Sequence, residues 1–227
     1  MPITIAIDGP ASSGKGTIAR QVAQRLGYAY VDTGAMYRAV ALKALESGIP
    51  WSESDRVAQL AAGLDFGFTW AGGDLQIAVD GRDISRDIRQ EHIGRGASDV
   101  AVHPPVRAAL LERQRSLGAR GGVVMDGRDI GTVVLPEAQL KVFLDASLQE
   151  RARRRHGELV ARLGPAAPSL DEVETELRAR DAQDRGRKTA PLRQAEDAVY
   201  VDSTRLSPRE VCAQVVELAE SRGARRP

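Results

Sequence analysis

Two spacings of apolar residues alternate along the chain. Ile3, Ile5 and Ile7, with Ala6 between them, predict a buried strand ending at Asp8. After Gly14 the apolar positions Ile18, Val22 and Leu26, flanked by Ala19 and Ala23, repeat at the helical period, and Gly27 closes that helix. "YAYVD" supplies a second strand, and a helix from about Ala35 to Ser47 is stopped by "GIP". Ser52 and Asp55 have the spacing of a capping box and predict the start of another helix. Between Gly63 and Ile88 the texture changes to short strands, "LDFGFTW", "LQIAV" and "RDIS", separated by "AGGD" and by the hairpin signal Asp80-Gly81. Two helices follow, the second opening at "HPPVRAALLERQR", where proline is tolerated in a first turn.

Strand–helix alternation then resumes with the apolar runs "GGVVMD", "LKVFLDA" and "AVYVDST". Ser207-Pro208-Arg209-Glu210 reads as a capping box leading into "VCAQVVELAES". Five short β runs with helices between them imply an α/β fold with a five-stranded parallel sheet covered on both faces. The organisation expected is a core of 1–62 and 89–227 with an antiparallel-β insert at 63–88. "LGPAAPS" reads as a flexible break between two charged helices, and the tail "RGARRP" is expected to fray.

Composition narrows the class. The 227 residues suffice for one sizeable core and a subdomain, and 42% apolar with 28% charged is ordinary for a soluble globular protein. A formal net charge of +1 provides no global field to recruit nucleic acid or a membrane surface. Apart from Lys15, Lys43, Lys141 and Lys188 every basic residue is Arg, so a single Arg cluster says little. The lone Cys212 excludes an internal disulfide and falls on an apolar helix face, and His92, His103 and His156 lack zinc-site spacing. With no long apolar run and a strand at the amino terminus, the expectation is a cytoplasmic protein without signal peptide or spanning helix.

The strongest chemical signal is "GPASSGKGT", Gly9 to Thr17. A strand precedes it and an amphipathic helix follows, the context in which backbone N–H groups converge on phosphate oxygens at a positive helix end. Gly9 and Gly14 permit the turn, with Pro10, Ala11, Ser12, Ser13 and Gly16 completing it. Lys15 is placed to neutralise β/γ phosphates. Gly16 stands where many such loops carry a hydroxyl, which passes the Mg²⁺-ligating role to Thr17. The chain has no asparagine, hence no N-K-x-D guanine reader, and it is short for a motor or large ATPase. A small kinase is left, and it needs a second site for an anionic acceptor.

Arginines stand where loops leave the strand ends: Arg38 in "VDTGAMYR", Arg128 in "VVMDGRDIG", Arg180, Arg185 and Arg187 in "RARDAQDRGR", and Arg151 to Arg155 in "RARRR". Arg153 or Arg155 alone reads as a solvated surface residue. "DGRDI" occurs twice. At Asp80 to Ile84 a type I′ turn explains it, whereas at Asp126 to Ile130 it follows a buried strand, making Asp126 a candidate ligand of a Mg²⁺-bound water. Arg180 and Asp184, one helical turn apart, fit a surface ion pair as well as a place in the acceptor site.

Taken in order, "IDGPASSGKGT", "VDTGAMYR", "VRAALLERQR", "DGRDIGTVV", "KVFLDAS" and "RARDAQDRGRKTAPL" resemble bacterial cytidylate kinase, a P-loop nucleoside monophosphate kinase, from Ile3 to about Ser203. The resemblance implies transfer of the γ-phosphoryl group of ATP to CMP or dCMP, with Mg²⁺, in a monomer with no nucleic-acid or membrane partner. It implies that the 63–88 insert belongs to the nucleoside-monophosphate subdomain and that a short lid lies at about 151–168. By motif, Arg38, Arg128 and Arg187 hold the acceptor phosphate, and Arg180 and Asp184 hold the ribose. Ser98, Arg107 and Asp129 read the cytosine edge. Thr33, Tyr37 and Gly127 line the same pocket, Thr33 standing where the resemblance predicts Ser, and Arg154 is the lid residue implied to touch donor phosphates. Lys15, Asp126, Arg128 and Arg187 are the implied catalytic set. The rivals are a kinase for AMP, UMP or shikimate, and a regulatory or RNA-binding nucleotide module without turnover. Near-zero net charge and few aromatic rings for stacking weigh against the second.

Overall fold

The computed structural model describes residues 2–71 and 74–226. Gly72 and Gly73 of "AGGD" and the terminal Pro227 lie outside the described residues. Five parallel strands form one sheet: β1 (Thr4–Asp8), β2 (Ala29–Asp32), β6 (Val123–Gly127), β7 (Leu140–Asp145) and β8 (Val199–Asp202), in the order β2-β6-β1-β7-β8. β1 is central, and the sheet extends from it in both directions, so a crevice opens beyond its carboxyl end. Strand alternation sends Ile5 and Ile7 to one face, where they pack with Val22 and Leu26 of α1 (Lys15–Leu26) and Val211 and Val215 of α8 (Pro208–Ser221). Ala6 faces the other way and packs with Met125, Ile130 and Val134.

The remaining helices are α2 (Thr33–Glu46), α3 (Ser54–Gly63), α4 (Glu91–Val100), α5 (Pro104–Gly118), α6 (Leu148–Leu163) and α7 (Leu170–Gly186). The insert forms the expected antiparallel sheet of β3 (Phe66–Ala71), β4 (Asp74–Val79) and β5 (Arg82–Asp83), turning at Asp80 and Gly81, both with positive φ. Its Ile77, Val79 and Ile84 bury in the same cluster as Met36 and Val40 of α2 and Ile93 of α4. A smaller cluster joins Ala152 and Leu159 of α6 to Val173 and Leu177 of α7, and Ala11 of the Gly-rich loop packs into it. Among the described residues no helix is long and apolar enough to cross a membrane.

Three local expectations need correction. Helix α3 opens at Ser54 with Glu53 at its N-cap and no side-chain cap, so the Ser52–Asp55 box does not form. The chain turns at Ser52, whose carbonyl accepts from Ser54 N, and this delays the helix past the position a box would need. "LGPAAPS" is a short 3₁₀ turn over Gly164–Ala166, followed by Ser169, which caps α7 in a reciprocal box with Glu172. The tail is held through Arg225: Ala224 N bonds Ala219 O at 2.9 Å in a Schellman closure, Ala224 is buried, and Tyr28 Oη donates to Arg225 O. The box at Ser207 and Glu210 does form. Ser207→Ala should therefore lower unfolding free energy by about 1 kcal/mol in urea titrations, whereas Ser52→Ala should change it by less than about 0.5 kcal/mol; equal losses would contradict this assignment of caps.

Candidate active site

The Gly-rich loop leaves β1 and enters α1 at Gly14, whose φ of 89° suits glycine. A Cβ on Gly9 would lie 2.0 Å from the Leu144 carbonyl oxygen of β7, so only glycine lets the loop leave the sheet there. Ser12 holds a left-handed φ of 58°, local strain of the kind found at ligand-binding turns. Around this loop lies a cleft of about 750 Å³, closed on its far side by side chains of α4, α5 and α7.

Nearly all the site residues expected from the sequence meet on the wall of this one cleft. Ser12, Ser13, Gly14, Lys15, Gly16 and Thr17 of the Gly-rich loop line it together with Arg154. Thr33, Tyr37 and Arg38 come from the end of β2 and α2, and Asp126, Gly127, Arg128 and Asp129 from the end of β6. Ser98, Arg107, Arg180, Asp184 and Arg187 complete the wall. Gly9, Pro10 and Ala11 do not line it. They form the underside of the loop, where Pro10 O accepts from Lys15 Nζ at 3.0 Å and Ala11 O accepts from the buried Arg151.

The arginines are fixed by carboxylates. Arg38 Nη2 reaches Asp32 Oδ2 at 2.7 Å, and Asp32 also caps α2 through Ala35 N, which starts that helix two residues earlier than the sequence predicts. Arg107 and Asp129 are hydrogen-bonded and both under a tenth exposed, with the guanidinium 5.4 Å from the centre of the Tyr37 ring. Arg128 Nε donates to Asp184 Oδ2 at 2.8 Å, and Arg187 lies 3.7 Å from the other oxygen. Of the two readings of Arg180 and Asp184, the surface ion pair is not the one that forms: Asp184 is taken by Arg128 from the loop after β6 and by Arg187 at the end of its own helix. Arg155 also departs from expectation. It bonds Glu91 of α4 at 2.5 Å, whereas Arg153 is 71% exposed, as a solvated surface residue should be. Arg154 bonds Ser203 O at 2.6 Å and Glu150 at 3.0 Å.

Buried nitrogen atoms without a hydrogen-bond partner among the described residues are Arg38 Nε, Arg180 Nε and Arg187 Nη2, all on residues of this cleft; Ser13 Oγ is in the same condition. Each such donor costs about 1–3 kcal/mol unless an acceptor meets it, and a phosphate supplies several acceptors at once. Burial and the nearby Arg128 lower Lys15 to about 7, and burial and Arg128 lower Arg180 to about 10. Burial also raises Asp184, but Arg128 and Arg187 outweigh it and hold its carboxyl below the usual range. Asp126 goes the other way, raised to about 6 by burial and by Asp32. The cleft therefore holds crowded cations whose charged forms an added polyanion would stabilise.

Sequence reasoning missed three residues. Tyr30 Oη donates to Asp126 Oδ1 at 2.9 Å, while Thr33 Oγ1 donates to the main-chain oxygen of Asp126 at 2.8 Å, so β2 holds that carboxylate-bearing residue at both ends. Asp8, raised to about 7 by burial, accepts from Ile130 N and Gly131 N at 2.8 Å each. Gln114 is buried behind Tyr37. A polar residue ending an apolar strand is the only signal for Asp8, and nothing in the sequence distinguishes Tyr30 from a core residue.

A phosphate loop at the end of the central strand, facing guanidinium groups across one cleft, defines a P-loop phosphotransferase with an anionic acceptor. The cytidylate kinase family model matches residues 5–221. The chain is 51% identical over 209 residues to a cytidylate kinase of Geobacter sp. strain M21, covering 92% of this chain and 89% of that one. It is 48% identical over 219 residues to that of Citrifermentans bemidjiense (96% and 91% covered) and 47% over 222 residues to that of Saccharophagus degradans (98% and 99%). The chain belongs to the cytidylate kinase family. Because Arg107 is buried against Asp129, Asp129→Ala should destabilise the protein by about 3 kcal/mol in denaturant titration; a loss within error would show that the cleft is wet enough to solvate Arg107 alone.

Proposed function

We propose that the chain transfers the terminal phosphoryl group of ATP to the phosphate of CMP and dCMP, yielding ADP and the corresponding diphosphate. The observation that carries this reading is the confinement of a phosphate loop and three partnerless buried guanidinium nitrogens to one cleft. Lys15 and the loop N–H groups take the donor, while Arg38, Arg128 and Arg187 take the acceptor phosphate. Arg180 and Asp184 take the ribose, and Ser98, Arg107 and Asp129 the cytosine edge. The acceptor oxygen is already anionic at neutral pH, so positioning and charge neutralisation dominate and no strong general base is required.

The donor set at the loop fits Mg²⁺. Thr17 offers a hydroxyl, and Asp126 Oδ2 lies 4.0 Å from where a Cβ on Gly16 would stand. Oxygen donors without a protein cage suit an ion that keeps its waters and binds substrate phosphates. When bound, Mg²⁺ neutralises donor oxygens; Thr17 would hold it directly and Asp126 through water. We extend the reading to a cytoplasmic monomer acting on free nucleotides, without nucleic-acid or membrane partners.

ADP release measured with CMP, dCMP, UMP and AMP at fixed Mg-ATP tests the acceptor: CMP and dCMP should give the highest kcat/KM, and a preference for AMP or UMP would overturn the assignment. Arg128→Ala should lower kcat by about 100-fold or more, with the KM for ATP changed only a few-fold. Full turnover at saturating CMP would remove Arg128 from the mechanism.

A further inference from the structure

Asp8 ends the central strand one residue before the phosphate loop, and strand alternation turns its side chain to the face shared with Ala6. On that face lies a π-helical turn, Ile130–Val134, immediately after Asp129. Asp129 occupies the N-cap position of the turn, where an aspartate ordinarily folds back to accept from N–H groups of the first turn. Here it makes no such bond, and its carboxylate goes to Arg107 instead. The N–H groups of Ile130 and Gly131 are taken by Asp8, which is more than 120 residues away in sequence.

We infer that Asp8 is a positioning residue for the acceptor side: by capping the Ile130–Val134 turn from the neighbouring strand, it frees the Asp129 carboxylate to hold Arg107 in the cleft. Two effects act in the same direction. The donors that would draw Asp129 inward are already bonded. A carboxylate at Asp8 also repels that of Asp129, so moving inward would bring two buried acids together. Little room exists for another arrangement, since a Cβ on Gly131 would stand 3.1 Å from the Lys141 chain and 3.4 Å from Asp8 Oδ2. Asp8 touches neither substrate in this scheme; its effect reaches the acceptor through Asp129 and Arg107.

The inference rests on the reading of Arg107 and Asp129 as the base-reading pair, which the acceptor panel on the unmodified chain tests separately. Asp8→Asn puts an amide N–H against one of the two backbone donors. It should raise the KM for CMP about 10-fold and reduce discrimination against UMP, leaving the KM for ATP within about 2-fold. In an Asp129→Ala background the same change should add less than about 2-fold to the KM for CMP, because the route is already cut. A rise in the ATP KM as large as that for CMP would overturn the inference, since Asp8 would then act on the phosphate loop it adjoins. So would effects that multiply in the double variant. Amide hydrogen exchange of the unmodified chain provides a check that requires no variant to fold. Ile130 and Gly131 should be protected to the level of the sheet, and exchange at loop rates would rule out the cap.

Discussion

Like charges held close together by burial are the constraint on which this structure turns. Lys15, Arg128, Arg180 and Arg187 converge from three segments, the start of α1, the loop after β6, and α7 with its C-cap, and burial, with Arg128 beside them, disfavours the charged forms of Lys15 and Arg180. The fold tolerates this because carboxylates are interleaved. Asp32 fixes Arg38, Asp129 fixes Arg107, and Asp184 fixes both Arg128 and Arg187. Each of these contacts uses only part of a guanidinium fork. The arginines that carry the unspent donors line a cleft that a polyanion fits, so the geometry is preorganised before any ligand arrives. Replacing both members of such a buried pair by well-packed apolar residues is often neutral or stabilising, whereas removing the carboxylate alone strands a buried charge, so stability alone does not shape such a site.

The elements that surround the cleft are tied to one another in ways that bear on how it opens. Ala11, under the phosphate loop, packs into the small core shared by α6 and α7, so the loop, the helix of the expected lid and α7 rest on common apolar surface. On the other side, Glu91 at the start of α4 binds both Arg155 and Arg162 of α6, and Arg95 pairs with Glu176 of α7. These ion pairs are partly exposed and individually weak. Bridging α4 to α6 and α7 with weak, salt-sensitive contacts is compatible with the expected lid, which would part from α4 to admit nucleotides.

Much of the fold was legible because its signals are local. The alternation Ile3–Ile7 marks β1, the helical period Ile18–Val22–Leu26 marks α1, and Asp80-Gly81 marks the hairpin of the insert. In each, the residues that set the conformation are within a few positions of one another. The phosphate loop was legible for the same reason. Partnerships across the chain were not. The i,i+4 spacing of Arg180 and Asp184 describes a helix surface, yet Asp184 is claimed by Arg128, 56 residues away. Arg155 has the look of a solvated cation and finds Glu91, 64 residues away. Ser52 carries the letters of a cap, but the chain turns at that residue and the helix starts at Ser54. Spacing can state which residues share a face, but not which neighbour arrives at it from another segment.

Of the residues that hold the site's side chains in place, Tyr30 and Asp8 were invisible to motif reading, whereas Thr33 was visible only as part of the pocket wall. Tyr30 and Thr33 fix Asp126 by its side chain and its carbonyl, and Asp8 fixes the turn that follows Asp129. All three belong to, or immediately follow, the strands flanking β6 on either side, because the sheet order places β6 between β2 and β1. That order follows from a chain that leaves β1, crosses by α1 to lay down β2 one strand away, and returns later to fill the gap with β6. β6 comes after both of these neighbours in the chain, carries Asp126 and leads directly to Arg128 and Asp129, and the segments on its two sides present a tyrosine hydroxyl, a threonine hydroxyl and a carboxylate. The topology thus provides the means by which the loop after β6 takes a single position relative to the phosphate loop. Direct phosphoryl transfer requires that fixed separation, because two anions must be brought into line at close range.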